Sequence, residues 1–170
     1  INNGGGGNCG GDGTIKTIRS KEEVLRGVDA EGTLHVKPGL NSLSNAVIEA
    51  NLYDINQIFL ENGVHDEQGE DVVIDLPITI IGESKYGCTI NGGLRMQGKK
   101  EDDVNVKHLT ISQSKGYGVE GNKGMSFHLF HLKIEKSEGC GVYVYSTQRS
   151  TMSNCQVSHS KWSGVWVQDG

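Results

Sequence analysis

Apolar and polar residues alternate in short runs through the second half of the chain. In Gly141-Val142-Tyr143-Val144-Tyr145 the valines and their neighbours take turns, as they do in Gly164-Val165-Trp166-Val167-Gln168 and in Asn154-Cys155-Gln156-Val157-Ser158. A period of two is the mark of a half-buried strand. The runs themselves recur. The pairs Gly118-Val119, Gly141-Val142 and Gly164-Val165 stand 23 residues apart, and four further series keep that register: Leu109/Leu132/Cys155, Ile111/Ile134/Val157, Ser114/Ser137/Ser160 and Val106/Leu129/Met152. Short strands joined by polar turns such as Ser146–Ser150 and Ser158–Lys161, repeating at a fixed interval, predict stacked coils in which like residue lies on like. The expected fold is all-β, a right-handed parallel β-helix (a solenoid) with a short N-terminal capping helix. A leucine-rich repeat lacks its L-x-x-L-x-L signature here. An antiparallel sandwich leaves the common register without a reason.

Upstream the pattern changes. Residues 1–13 are rich in Gly and Asn and predict an irregular arm, with residues 1–32 forming that arm plus a short helix and 33–170 the solenoid. Ser20-Lys21-Glu22-Glu23 is a capping box, and Gly27 a C-terminal stop, for a helix over 21–27. Thr33–Val36 alternates like a strand. Over 43–52, Leu43, Val47, Ile48 and Leu52 share one helical face, which predicts an amphipathic cap over the open edge of the first coil. Strands are expected at 58–60, 72–74, 78–81, 88–90, 94–96 and 104–106, with 64–70 and 99–103 as inserted loops. The interval from Ile80 to Ile111 is 31 residues, so the early coils read as stretched. Residues 162–170 open a further Gly-Val coil. This predicts a solenoid that continues beyond residue 170 or docks end-on to a partner.

Composition narrows the choice of partner. There are 25 glycines and two prolines, which suits many tight turns. The 16 basic and 21 acidic residues give a net charge of −5, which argues against nucleic acid. No apolar run reaches the roughly 18 residues needed to span a bilayer. No signal peptide stands in the sequence, and nothing in it assigns a compartment. The four cysteines, Cys9, Cys88, Cys140 and Cys155, form no C-x-x-C pair. Cys155, in a leucine column, is expected as a small buried hydrophobe, and a Cys140–Cys155 disulfide stays open.

Ile58-Phe59-Leu60-Glu61-Asn62-Gly63-Val64, followed by Leu76-Pro77-Ile78-Thr79-Ile80-Ile81-Gly82-Glu83, resembles the opening coils of the pectin-lyase-like right-handed β-helix superfamily. Asn45-Ala46-Val47-Ile48-Glu49-Ala50 is similar to that group's capping helix. The later Gly-Val-x-Val and Asn-Cys-x-Val-x-x-Ser coils are similar to the repeats of the carbohydrate-binding and sugar hydrolase domain, which also occurs in F-box adaptors. The resemblance runs over about residues 33–170. It implies the fold but no one activity, because the superfamily holds lyases, hydrolases, esterases, phage tailspikes and non-catalytic adaptors.

Catalysis by a glycosidase asks for two carboxylates about 5–9.5 Å apart. The outward column beside the Gly-Val pairs reads Glu120, Tyr143, Trp166, and the next Asn122, Tyr145, Gln168, so Glu120 is the one acid there. Asp102-Asp103 reads as a solvated charged turn. Arg95 and Arg149 lack an acidic cluster on a neighbouring strand for a lyase. His108 and His131 stack 23 residues apart but, with Asn154 in the third coil, read as a turn column that tolerates left-handed backbone. Ser114, Ser137 and Ser160 read as a hydrogen-bonded turn ladder. No catalytic residue, metal site or cofactor is therefore assigned. The expected ligand-binding residues are Glu120, Tyr143, Tyr145, Trp166 and Gln168, an outward strip suited to a sugar chain or a protein. The expected function is a non-catalytic β-helix scaffold or binding module within a larger protein or assembly, its partner a protein or a polysaccharide. The alternatives are a polysaccharide lyase or hydrolase acting on acidic glycans, with active coils beyond residue 170, and a viral or phage structural protein.

Overall fold

The structure is a computed structural model that describes residues 18–122, 124–147 and 149–169. The expected arm at 1–13, with Cys9, lies outside the described residues. Helix α1 (Lys21–Arg26) begins at the predicted cap: the Glu23 N–H donates to Ser20 Oγ at 3.3 Å, and Gly27 closes the helix. Strands β1 (Thr33–Val36), β3 (Gln57–Leu60), β5 (Ile78–Gly82), β7 (Asp103–Lys107), β10 (Ser126–Phe130) and β13 (Thr151–Ser153) then pair in parallel as one six-stranded sheet. The second sheet holds β2 (Gly39–Leu40), β4 (Gly63–Ile74), β6 (Cys88–Met96), β8 (Thr110–Ser112), β9 (Val119–Asn122), β11 (Lys133–Glu135), β12 (Val142–Tyr145), β14 (Gln156–Ser158) and β15 (Val165–Gln168). The chain alternates between the sheets, so each circuit is one coil of a parallel β-helix, the fold class expected.

Register partners define the core columns. Leu34, Ile58, Ile80, Val106, Leu129 and Met152 stack through the first sheet. Ile90, Ile111, Ile134 and Val157 stack through the second. So do Val72, Leu94, Val119, Val142 and Val165. Each fully buried aliphatic side chain contributes about 1.5–3 kcal/mol relative to exposure. Burial is complete in the middle coils and falls away in the last: Leu129 is 1% exposed and Met152 41%, Val142 2% and Val165 43%. Cys155, expected to be buried, is for the same reason only half-buried. Cys88, Cys140 and Cys155 are free thiols, and burial pushes Cys88 up to about 12, so it stays protonated.

Several expectations are corrected. Ile80 and Ile111 are not one column, because they stand in different sheets: Ile80 pairs with Val106 and Ile90 with Ile111. The predicted strands at 88–90 and 94–96 are one strand, β6. The expected loop at 64–70 is part of β4, whose register against β6 shifts between Asp66 and Asp71. The insertion is real, but it is a bulge in a strand. Asp103 opens β7 and is no loop residue. Helix α2 (Ser42–Leu52) buries Leu43, Ser44, Ala46, Val47, Glu49 and Ala50, while Leu52 is exposed and Ile48 half-buried. In the serine column, Ser114 accepts from Gly116 N–H and donates to the Tyr117 carbonyl, but the hydroxyls of Ser137 and Ser160 have no hydrogen-bond partner among the described residues.

The bulge explains how α2 is held. Asn41, in the N-cap position, makes no side-chain cap. Glu67, from the bulge, takes its place: its carboxylate accepts from Leu43 N–H at 2.9 Å, Ser44 N–H at 3.2 Å and Ser44 Oγ at 2.5 Å, and it is 4% exposed. A carboxylate here satisfies orphan amides and meets the positive end of the helix dipole. His65 lies two residues before Glu67 on β4 and stands in the Ile90 column, between Gly39 of β2 and Ile90 of β6. It is buried, with Nδ1 at 2.8 Å from Ser42 Oγ and Nε2 at 2.9 Å from the Glu61 carbonyl.

Replacing Glu67 by Ala strands two buried amides and is expected to cost about 2–3 kcal/mol, read as a lower urea midpoint with an unchanged slope. Burial holds the His65 imidazole below its ordinary value of 6.5, outweighing the Glu61 carbonyl and the nearby carboxylates, which favour the charge. The unfolded chain therefore takes up this proton first as pH falls. Stability attributable to His65 is intact above about 6.5 and declines below it. Between pH 6.5 and 5, His65→Gln is expected to show a flatter stability curve than the parent.

Candidate functional site

The outward column of the second sheet holds the residues expected to form a site. Val73, Arg95, Glu120, Tyr143 and Trp166 are successive register partners, and Asn122, Tyr145 and Gln168 run beside them. All five residues expected to bind a ligand therefore lie on one face. Tyr143 and Tyr145 share strand β12, with Glu120 on β9 and Trp166 and Gln168 on β15. The structure adds Asp71, Tyr117 and Trp162, which the sequence reading placed at no site, and Arg95, which it weighed as a lyase residue and set aside.

Arg95 has acidic partners on both neighbouring strands, which corrects the expectation that it has none. Its Nη2 is 2.6 Å from Asp71 Oδ2 on β4, and its Nε donates to Glu120 Oε2 on β9 at 2.9 Å. Asp71 stands opposite Gly93, and a Cβ on that glycine would lie 2.5 Å from its carboxylate. The absent side chain is what lets Asp71 reach across to Arg95. Burial opposes the Arg95 charge, but the hydrogen bond and charge of Glu120, with the charge of Asp71, hold the guanidinium above its ordinary value. It is a clamp that keeps its proton. Asp71 is held above the usual carboxylate range, mainly by burial and then by the charges of Glu120 and Glu70, with Arg95 opposing the rise. Arg95, Met96, Gln97, Glu120 and Asn122 line a shallow groove beside this trio.

One coil further along, the face becomes aromatic. Tyr117 and Tyr143 stack with centroids 4.8 Å apart and planes at 15°, and Trp162 meets Tyr117 edge-on at 6.1 Å. Gly139 makes this possible, because a Cβ there would fall 2.8 Å from the Tyr117 ring. Trp162 takes the corresponding position one coil later, 23 residues on, where a glycine gives way to an indole. Trp162 is 68% exposed and Trp166 50%. The tyrosines cover one face of each other, while the two indoles stand exposed.

Elsewhere, Asp103 is not a solvated turn residue. His128 Nε2 lies 3.3 Å and Arg149 Nη2 3.4 Å from its carboxylate. The column His108, His131, Asn154 takes φ of 58°, 55° and 51°, the left-handed turn expected.

In Arg95→Met the one influence lowering the Asp71 pKa disappears while burial and Glu120 remain. Carboxyl NMR titration is expected to find Asp71 moving further up than in the parent.

Residues 53–170 match the family model described as "Right handed beta helix region". No curated protein and no solved structure matches the chain.

Proposed function

We propose that this chain, which belongs to the right-handed β-helix family, is a non-catalytic binding module that holds a polysaccharide along the outer face of its second sheet. The observation that carries this reading is the outward strip itself: a carboxylate–guanidinium–carboxylate trio on β4, β6 and β9, continued by a tyrosine stack and two exposed indoles. Exposed aromatic faces favour the apolar faces of sugar rings, and the flanking charged groups offer hydroxyls both donors and acceptors. Two carboxylates against one guanidinium leave the strip negative, as is the chain at −5. A neutral glycan therefore suits it better than a polyanion.

A lyase or hydrolase is the second reading, favoured by one observation: Asp71, held above the usual carboxylate range, shares Arg95 with Glu120. Against it stands Arg95 itself, which is bonded on both sides and holds its proton too firmly to act as a base.

Affinity electrophoresis through neutral and acidic polysaccharides separates these readings. Retardation by a neutral glycan is expected, weakened about tenfold or more in Trp166→Ala and Trp162→Ala, as for a central aromatic anchor. Equal migration in every glycan sinks the proposal, and cleavage of an acidic glycan that is lost in Asp71→Asn establishes the second reading instead.

A further inference from the structure

His108 and His131 occupy a corner of the solenoid away from the aromatic strip. Each follows a strand of the first sheet, β7 and β10, and the left-handed backbone they share with Asn154 brings their rings together. The two Nδ1 atoms are 2.9 Å apart, with ring centroids at 5.2 Å and planes at 74°. Phe130 lies edge-on to His108 at 5.6 Å and tilted to His131 at 6.2 Å, an apolar wall beside the pair. Both histidines are half-buried.

A contact of this length between neutral imidazoles has one Nδ1–H donating to the lone pair of the other Nδ1. If that proton moves to Nε2 of its own ring, two lone pairs share one small space with no net gain or loss of protons. Imidazole nitrogens bind first-row ions at about 2.0–2.1 Å. Two such nitrogens at right angles about one ion lie about 3 Å apart, and at a tetrahedral angle about 3.4 Å, so the observed separation fits the tetragonal geometry of Cu²⁺ or Ni²⁺.

We propose that the His108–His131 pair is a site for Cu²⁺ or Ni²⁺, with the two Nδ1 atoms as adjacent ligands and solvent completing the coordination. Among the described residues no group of three or more His, Cys, Asp or Glu side chains is placed to hold an ion. The site is therefore a two-ligand one of imidazole alone, which suits these ions and not Ca²⁺ or Mg²⁺, whose preferred ligands are oxygens.

The test is a titration of metal-stripped protein with CuCl₂, followed by calorimetry and electron paramagnetic resonance. The chain has four other histidines, so the reference is the double variant His108→Asn/His131→Asn. Asparagine keeps the corner intact, because Asn154 holds the same left-handed turn one coil on. Expected are one ion per parent chain that the double variant does not bind, and nitrogen hyperfine structure from two imidazoles. Loss of an outer-shell partner already costs about 10–100-fold in affinity, so each single variant should weaken binding at least about tenfold. A measurement on the parent needs no substitution: substoichiometric Cu²⁺ should broaden backbone amide signals of residues 106–110 and 129–133 before any others. Equal binding by parent and double variant, or first broadening elsewhere, overturns the proposal.

Discussion

The structure depends on one constraint: every strand's backbone hydrogen bonds must be made by the coil before and the coil after. In a parallel stack this forces like positions to lie on like, about 4.8 Å apart. The inward columns must then be apolar along their whole length, because one polar member would face apolar neighbours above and below. His65 is the exception that supports the rule. It stands in the Ile90 column next to Gly39, where α2 supplies a hydroxyl and the chain a carbonyl, and burial holds its imidazole below the ordinary value.

Stacking also turns a one-dimensional repeat into a surface. Residues roughly a coil apart become neighbours, so an outward column can assemble a site that no local motif announces. Arg95 is joined to Glu120 across one coil step, and to Asp71 across another that contains the bulge. The corners work likewise. Left-handed backbone at a residue other than glycine costs about 1–2 kcal/mol. The corner column of His108, His131 and Asn154 accepts that cost, and its amides bond to the next coil: His108 N–H to the Phe130 carbonyl, His131 N–H to that of Ser153. The aromatic strip and the imidazole pair are therefore two products of one geometry, on different faces.

The regular coils from residue 104 onward were legible because their interval is constant, so columns such as Ile111/Ile134/Val157 could be read directly and match the pairing found. The same regularity placed Glu120, Tyr143, Tyr145, Trp166 and Gln168 on one outward face. The early coils were not legible in this way. Thr33, Gln57, Thr79 and Asn105 are successive partners at uneven intervals, and the bulge in β4 breaks the spacing of Asp71 to Arg95. An alternation rule cannot say which of two sheets a strand joins, which is how Ile80 came to be aligned with Ile111. Tyr117 and Trp162 were hidden for another reason: they stand in columns with Cys140 and Gly139, where no shared chemistry draws attention to them.

The sequence by itself determined the solenoid, its sidedness and the start of α1, because strand alternation, repeat interval and capping boxes act over a few residues or at one fixed spacing. Only the tertiary structure decided that Glu67 caps α2, that Asp71 and Glu120 share Arg95, and that His108 meets His131. Those contacts depend on how far each coil advances and where it bulges. That advance is set by the fit of each coil against its neighbours, which no single stretch of the chain encodes.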